Sequence, residues 1–253
     1  MAHNAVLVFC KPPVAGRVKT RLIGALSARQ AAEVHAACVR DTVAMVGAVP
    51  GAQKWLYVAA GRATARRLGM RLRLCGKWKV VTQRGADLGE RMRHAIEERL
   101  RAGASKVVIV GTDSPWMGRG RIERALQLLD NTEIVLGPSE DGGYYLIASR
   151  RTVSEIFSQI HWGTAEVMTQ TLRALRAPRT AYRLLKRDFD LDRPEDLRRV
   201  ARMAARGTLH APALAKLLRP RKMPAPQGRA GATESSRRRE RGRGNRTRQP
   251  GQA

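Results

Sequence analysis

A carboxylate at the end of an apolar run is the first candidate for chemistry. The β-branched residues of Val107–Val110 predict a strand that is buried on both faces, as in a parallel sheet. The run ends in Gly111–Pro115, a turn that carries Asp113. Ligands of open α/β sheets bind just beyond the carboxyl ends of strands, so Asp113 is placed to hold a hard cation against a phosphorylated ligand. The alternative is that Asp113 caps the helix that follows.

A basic loop follows the first predicted strand. Ala5–Cys10 leads directly into Lys11–Arg21, which holds four cations, one glycine and two prolines. Such a loop suits phosphate binding, with lysines as point charges and arginines as two-pronged donors. It is not a Walker A loop, because it has neither the upstream glycine nor the Gly-Lys pair. The alternative is a solvated basic turn. The predicted phosphate-binding residues are Lys11, Gly16, Arg17, Lys19, Thr20 and Arg21.

Two acidic residues precede a Gly-Gly turn further along the chain. Glu140 and Asp141 stand before Gly142 and Gly143. Their carboxylates could contact a ligand hydroxyl or a metal-bound water. Asp-Gly is also a strong indication of a tight hairpin turn. Both interpretations can hold, since the same turn brings backbone close to a ligand.

A third acidic segment alternates charge with apolar residues. In an extended backbone, Asp188, Asp190 and Asp192 lie on one side. At about 4 Å and an effective dielectric constant near 20, each pair would repel by about 4 kcal/mol, which a divalent cation would relieve. The segment also has the features of a helix start, with Pro194 near the first turn. Asp192 and Asp196 also fit that helix start, so Asp190 is the better ligand candidate.

The elements that must position these residues alternate between strand and helix patterns. Ser27 to Gln30 has the pattern of a capping box, and Asp87 opens a helix with apolar residues at every fourth position. This alternation predicts a single α/β domain, at residues 1–218, with a mainly parallel sheet flanked by helices. Strands are predicted at residues 5–10, 54–59, 79–82, 107–110, 133–136, 144–148 and 181–185. Helices are predicted at residues 27–46, 64–68, 87–103, 120–129, 153–157, 165–175 and 194–205.

The formal net charge of +27 is unevenly distributed. Residues 219–253 hold eleven Lys or Arg and two Glu, without Val, Ile, Leu or an aromatic residue. We predict that this basic tail is disordered, because it has little apolar surface to bury. It could bind nucleic-acid phosphates, but it lacks aromatic side chains for base stacking, and a solubilising tail is the favoured alternative.

The cysteine and histidine residues indicate the redox environment of the protein and whether it binds zinc. Cys10, Cys38 and Cys75 are widely spaced, which predicts reduced thiols in a cytoplasmic protein rather than disulfides. The five histidines have no zinc-ligand spacing. The N-terminal apolar run lacks the features of a signal peptide, and no apolar run approaches the roughly 20 residues of a membrane span.

Taken together, the motifs resemble a known family over roughly residues 5–200. They are similar to the DUF2064 group of bacterial proteins, within the GT-A, nucleotide-diphospho-sugar transferase superfamily. The motifs in chain order are Phe9–Leu22, Asp87–Met92, Gly111–Pro115, Gly137–Tyr145 and Asp190–Leu197. The His161–Thr164 segment, with Trp162 and Thr164, matches a further family motif.

The resemblance implies a GT-A-like fold and a role for each motif. The basic loop would bind a nucleotide, and Asp113 would hold Mg²⁺ or Mn²⁺ with Asp190 or Asp192 as the second ligand. Asp87, Glu90 and Arg91, together with the Glu140–Tyr145 turn, would border the acceptor or sugar pocket. The residues expected to take part in catalysis are Asp113, Asp141 and Asp190.

Three functions follow as expectations. The first is metal-dependent glycosyl transfer from a nucleotide-diphosphate sugar to an unknown acceptor. The second is nucleotidyl transfer from an NTP with release of pyrophosphate, on the same scaffold. The third, of a different class, is a domain without activity whose basic tail binds nucleic acid.

Overall fold

The computed structural model describes residues 3–74, 76–152, 154–176 and 179–219, and in them one seven-stranded sheet carries the fold. The strand order is β3-β2-β1-β4-β6-β5-β7. The strands are β1 (His3–Cys10), β2 (Ala52–Val58), β3 (Trp78–Thr82), β4 (Ala104–Val110), β5 (Ile134–Pro138), β6 (Tyr144–Ser149) and β7 (Tyr182–Leu184). The helices are α1 (Ala28–Gly47), α2 (Arg62–Arg71), α3 (Leu88–Arg101), α4 (Arg119–Leu128), α5 (Val167–Arg176), α6 (Pro194–Ala205) and α7 (Pro212–Leu218).

The sheet is mixed, with one strand that runs against its neighbours. β6 pairs antiparallel with both β4 and β5, whereas the other pairs are parallel. At the centre, Val6 of β1 stands opposite Lys54 of β2 and Val108 of β4. The predicted α/β fold with a mainly parallel sheet is therefore confirmed, and the carboxyl ends of β1, β2, β3 and β4 meet at one edge.

Local sequence explains the best-predicted helices. The Ser27 hydroxyl accepts from the Gln30 amide, and the Gln30 side chain accepts from the Ser27 amide, which completes the predicted capping box of α1. α6 begins at Pro194, as predicted. The helix predicted at residues 153–157 is instead a single 3₁₀ turn, Ser154–Phe157, and another 3₁₀ turn, Thr20–Leu22, was not predicted. Helix α7 was not predicted either.

Three apolar clusters hold these layers together. Two of them cover the two faces of the sheet, one under α2 and α4 and the other under α3 and α5. The third cluster lies away from the sheet and joins the 3₁₀ turn after the basic loop to the C-terminal helices. Its buried members include Leu22, Val34, Cys38, Leu191 and Leu214.

Some predictions fall outside the described residues. Cys75 does, whereas Cys10 and Cys38 are free and buried. Apart from Arg219, the predicted basic tail also lies outside them, so its disorder and the boundary at residue 218 stay predictions. In the described part of the chain, no helix combines the length and the apolar character that crossing a membrane requires.

Candidate active site

A cleft of about 990 Å³ opens at the edge of the sheet where β1 and β4 end. Among the described residues, six cations and six carboxylates line it. The cations are Lys11, Arg17, Lys19, Arg21, Arg91 and Arg193. The carboxylates are Asp113, Glu140, Asp141, Asp190, Asp192 and Asp196. The structure therefore brings the basic loop together with the turn after β4 and with the acidic segment before α6.

Lys19 lies at the centre of this arrangement. Its backbone is left-handed, with φ 48° and ψ 38°, which is uncommon for a residue with a side chain. Its side chain is only 3% exposed, and its Nζ donates to Asp113 Oδ1 and, at 2.9 Å, to Asp192 Oδ1. Two carboxylates from distant parts of the chain thus converge on one cation.

The surroundings keep this ion pair charged. Burial alone would lower the pKa of Lys19, but the charges of Asp113 and Asp192 outweigh it and raise the pKa above the ordinary value. Burial would likewise raise the pKa of Asp113, but the Lys19 ammonium outweighs it and lowers that pKa. Asp113 keeps 41% of its side chain exposed, so a ligand in the cleft can reach it.

The helix-cap alternative for Asp113 is wrong. Helix α4 begins at Arg119, six residues after Asp113. Its N-cap residue is Gly118, so no side chain caps this helix. The turn after β4 therefore presents Asp113 to the cleft instead of to a helix. A backbone hydrogen bond also holds this turn against the acidic segment. The Asp113 carbonyl oxygen accepts from the Leu191 amide at 2.9 Å.

Asp190 has a different environment from Asp113. Its Oδ2 lies 2.7 Å from the Ser139 hydroxyl, and its Oδ1 contacts the Ser114 hydroxyl, which also lies 2.9 Å from the Phe189 carbonyl oxygen. The Ser114 hydroxyl can donate its one hydrogen to Asp190 or to the Phe189 carbonyl oxygen, and donation from Ser114 or Ser139 lowers the pKa of Asp190. Burial and then the charge of Asp113 raise the pKa of Asp190 to about 7.

The three alternating aspartates do not share one environment. Asp190 and Asp192 line the cleft, whereas Asp188 does not. Asp188 accepts from the Trp116 indole at 3.2 Å and pairs with Arg121 at 2.8 Å. The Arg121 guanidinium compensates the negative charge of Asp188, so the three aspartates do not form one uncompensated cluster.

The two acidic residues near the start of α6 have different roles. Asp196 accepts from the backbone amides of Asp192 and Arg193, so it caps this helix. Asp192 instead lies between Lys19 and Arg21, whose guanidinium nitrogen is 3.7 Å from Asp192 Oδ2.

The Gly-Gly turn connects β5 and β6, as the hairpin prediction required. Asp141 lines the cleft, and its Oδ1 accepts from the Gly143 amide at 2.9 Å. Gly142 has φ 88°, and a Cβ there would come within 2.1 Å of the Ala165 carbonyl oxygen, so only glycine fits. The turn thus both closes the hairpin and presents Asp141 to the cleft.

The residues near the start of α3 have mainly local contacts. Asp87 accepts from the Glu90 amide, and Glu90 accepts from the Ala86 amide, each at 2.8 Å. Neither lines the cleft, whereas Arg91 does, with its Nε bonded to the Gly85 carbonyl oxygen at 3.0 Å. Gly16, with φ 75°, also turns the basic loop without lining the cleft, whereas Thr20 lines it.

Trp162 closes the other end of the cleft. Its ring meets Tyr144 edge-on, with centroids 6.3 Å apart, and both residues line the cleft together with Thr164. A Cβ on Gly89 would lie 2.4 Å from the indole nitrogen of Trp162. Trp162 therefore packs directly on the first turn of α3. This contact places the His161–Thr164 motif at the cleft.

Sequence reasoning missed several residues that support the site. His35 is 5% exposed, lines the cleft, and lies 3.0 Å from the Lys11 carbonyl oxygen through Nε2. Burial lowers its pKa, so the ring is neutral and can fix the loop as a donor. Ser114 and Ser139 were missed as partners of Asp190. Ser114 stands beside Asp113 in the motif, but nothing near His35 in the sequence marks it.

The donor set fits a hard divalent cation. Asp113 and Asp192 each use Oδ1 to contact the Lys19 ammonium, which leaves Oδ2 of both carboxylates as candidate metal ligands. Within the described ranges, no group of three or more His, Cys, Asp or Glu forms a ready-made metal cage. Mg²⁺ does not require one, since it is commonly held by one or two carboxylates together with substrate phosphates and water.

Comparison with known proteins agrees with this arrangement. Residues 42–164 match a family described as an uncharacterized protein conserved in bacteria (DUF2064). A crystal structure from Desulfovibrio desulfuricans G20, provisionally named a nucleotide-diphospho-sugar transferase, is 30% identical with a TM-score of 0.80. The match covers 87% of this chain and 95% of that chain. The chain belongs to the DUF2064 family. No curated protein matches its sequence.

More distant structures share only the fold with this DUF2064 protein. A cytidylyltransferase from Leptospira borgpetersenii serovar Hardjo-bovis (strain JB197) is 10% identical, with a TM-score of 0.54 over 86% of this chain and 93% of that chain. A 4-diphosphocytidyl-2C-methyl-D-erythritol synthase is 11% identical, with a TM-score of 0.51 over 78% of this chain and 95% of that chain. The predicted GT-A-like fold of the DUF2064 protein is thus confirmed.

Proposed function

We propose that this DUF2064 protein is a metal-dependent transferase that binds a nucleotide-diphosphate sugar and transfers its glycosyl group to an acceptor hydroxyl. The observation that carries the proposal is the convergence of Lys19, Asp113 and Asp192 in a large cleft at the carboxyl ends of the strands. The name of the relative from Desulfovibrio desulfuricans agrees with this substrate class.

The basic loop would hold the diphosphate. Lys11, Arg17 and Arg21 line the cleft together with Lys19 and give a phosphate ligand several cationic donors. Lys19 is already fixed by its two carboxylates, so it loses little conformational entropy when a ligand binds. Asp113 and Asp192 would hold Mg²⁺ or Mn²⁺, which when bound would offset charge on the departing diphosphate.

The transfer also needs a group that takes the acceptor's proton. In the reaction the bond between the sugar carbon and the diphosphate oxygen breaks, and a bond to the acceptor oxygen forms. Asp141 and Asp190 line the cleft outside the pair that contacts Lys19. Either carboxylate could accept the hydroxyl proton.

The experiment is thermal unfolding of the full chain against a panel of NTPs and nucleotide sugars, each with Mn²⁺ and with EDTA. A ligand that binds the folded state raises the melting temperature with its concentration. We expect one nucleotide sugar to raise it in Mn²⁺ and not in EDTA. That ligand is then incubated with candidate acceptors, and release of the nucleoside diphosphate is measured.

Two other results would change the assignment. A rise with an NTP alone, followed by release of pyrophosphate, would identify nucleotidyl transfer instead of glycosyl transfer. No metal-dependent rise with any ligand would contradict the proposal and leave the inactive domain with a nucleic-acid-binding tail as the remaining interpretation. Location in the cytoplasm stays a prediction from the cysteine content.

A further inference from the structure

One face of the protein carries positive charge without compensating carboxylates. From Arg62 to Arg84 the sequence has eight Lys or Arg and neither Asp nor Glu. Helix α2 exposes four of these cations, and the turn after it exposes two more. We define the α2 basic face as Arg62, Arg66, Arg67, Met70, Arg71, Arg73 and Lys77.

Several cations on neighbouring helices are paired with carboxylates, whereas those of the α2 basic face are not. In α3, Arg93 and Arg101 both pair with Glu97, and in α4, Arg119 pairs with Glu123. Throughout the ranges that the structure describes, no cation of the α2 basic face forms an ion pair. Exposed cations of α6, such as Arg198, also have no ion pair within the described residues, but the first turn of that helix holds Glu195 and Asp196, whereas the stretch that carries the α2 basic face holds no carboxylate.

A buried lysine beneath the face adds to its positive potential. Lys54 of β2 is 8% exposed and stands opposite Trp78 of β3. Burial lowers the pKa of Lys54, and the nearby charge of Lys77 lowers it further. Excess positive charge of this kind is relieved when an anionic partner binds.

The centre of the face is apolar. Met70 is 68% exposed, more than the other large apolar side chains exposed in the described residues. It lies four positions after Arg66 and three after Arg67, so these arginines flank it on the helix surface. The opposite side of α2, with Ala65 and Leu68, is buried against the sheet. A bilayer surface offers both anionic headgroups and an apolar layer, whereas a polynucleotide offers no apolar layer for Met70.

We propose that the α2 basic face docks on the surface of a bilayer that contains anionic phospholipids, with Met70 inserted among the headgroups. The inference does not depend on the proposed transfer reaction. Arg62 also lines a smaller cavity of about 400 Å³ that shares Ala59, Gln83 and Arg91 with the main cleft. Docking would therefore bring one rim of the cleft to the membrane surface.

The test is co-sedimentation of the full chain with vesicles of phosphatidylglycerol and phosphatidylcholine, compared with phosphatidylcholine alone. The basic tail can also bind anionic vesicles, so the comparison uses two variants that both keep it. One is Arg66→Gln with Arg67→Gln on α2. The other is Arg198→Gln with Arg202→Gln, which removes two exposed cations from α6.

We expect the α2 variant to lose roughly twentyfold in vesicle partitioning, since each cation near an anionic surface contributes about fivefold. The α6 variant should lose less than about threefold, because charges beyond a Debye length are largely screened. Unchanged melting temperatures would show that both variants are folded. Equal losses in the two variants would overturn the proposal. Vesicle binding would then depend on the total charge of the protein or on the basic tail, and not on the α2 basic face.

A third variant separates a bilayer from a polynucleotide. Met70→Ser removes the apolar side chain and no charge. It should weaken vesicle binding several-fold and leave binding to single-stranded poly(dT) unchanged. Vesicle binding that is insensitive to Met70→Ser would overturn the proposal. So would an α2 variant that loses poly(dT) binding while it keeps vesicle binding, since a nucleic acid would then be the partner.

Discussion

The ammonium of Lys19, in the loop after β1, is bonded to Asp113 at the end of β4, 94 residues further along the chain. The contact is possible because β1 and β4 are neighbours in the sheet and end at the same edge. Lys19 is almost completely buried, so the contact fixes the loop before any ligand arrives. The phosphate-binding candidates are thus preorganised by a carboxylate that is itself a metal candidate.

Replacement of Asp113 tests its role in holding a cation. Asp113→Asn removes a carboxylate charge but leaves Lys19 bonded to Asp192 at 2.9 Å. We expect the free energy of unfolding to fall by about 1 kcal/mol or less, since Asp113 is partly exposed. Metal-dependent nucleotide binding should be abolished. Thermal unfolding with and without Mn²⁺ and ligand measures both effects.

The matched control for this change is Asp130→Asn. Asp130 pairs with Lys106 and has 63% of its side chain exposed, away from the cleft. It should keep the full metal-dependent stabilisation. Metal-dependent affinity that is unchanged in Asp113→Asn would rule out the metal assignment.

Asp190 predicts an unusual dependence of stability on pH. Its pKa is raised from 3.8 to about 7 in the folded protein, so between these values the folded state binds more protons than the unfolded chain. The free energy of unfolding should therefore fall as the pH rises through this window. Asp190→Asn cannot ionise and should be more stable than the parent above pH 7, by roughly 1–3 kcal/mol. Chemical denaturation at several pH values measures the difference.

A second variant checks the physical cause of that dependence. Ser139 donates to Asp190 at 2.7 Å and lowers its pKa, against the effect of burial. Ser139→Ala should therefore move the midpoint of the stability change to higher pH. The assignment fails if Asp190→Asn shows the same dependence on pH as the parent protein.

The approach of Trp162 to α3 predicts a specific requirement for glycine. A Cβ at Gly89 would lie 2.4 Å from the indole nitrogen, so Gly89→Ala forces the ring to move. We expect a loss of roughly 1–3 kcal/mol in stability. Gly120→Ala is the control, because Gly120 is also the second residue of its helix and a Cβ there would have no neighbour within 4 Å. It should be neutral or stabilising by up to about 1 kcal/mol. Equal effects would mean that the indole contact has no energetic role.

Asp41 predicts how the last helix is attached. This side chain of α1 is 5% exposed and accepts from the backbone amides of Ala213 and Leu214, each at 2.8 Å. Asp41→Ala leaves both amides without a partner and should cost roughly 1–3 kcal/mol. Limited proteolysis should then cleave near α7 before it cleaves the sheet. Cleavage in the same order and at the same rate as in the parent protein would contradict this role.

Much of the fold could be predicted because the sequence signals for its helices and strands are local. The capping box at Ser27, the apolar run at Val107–Val110 and Pro194 at the start of α6 each depend on a few adjacent residues. Helix α7 was missed because its N-terminus is satisfied by Asp41 from a different helix, which no local pattern indicates.

The candidate site was predicted less completely, for a related reason. Asp113, Lys19 and the acidic segment could be recognised from residue type and position at a strand end. Their pairing could not, because it depends on which strands are neighbours. Asp188 and Asp190 have different environments because their hydrogen-bond partners differ. Those partners, Trp116 and Ser139, lie far away in the sequence.

The third apolar cluster couples the two ends of the described chain. Leu22, in the turn after Lys19, shares this cluster with Leu214 of α7. By thermodynamic reciprocity, a ligand of the basic loop whose affinity rises when α7 is attached protects α7 from detachment by the same factor. Anything that binds or covers the C-terminal helix could therefore tune substrate affinity without touching the cleft.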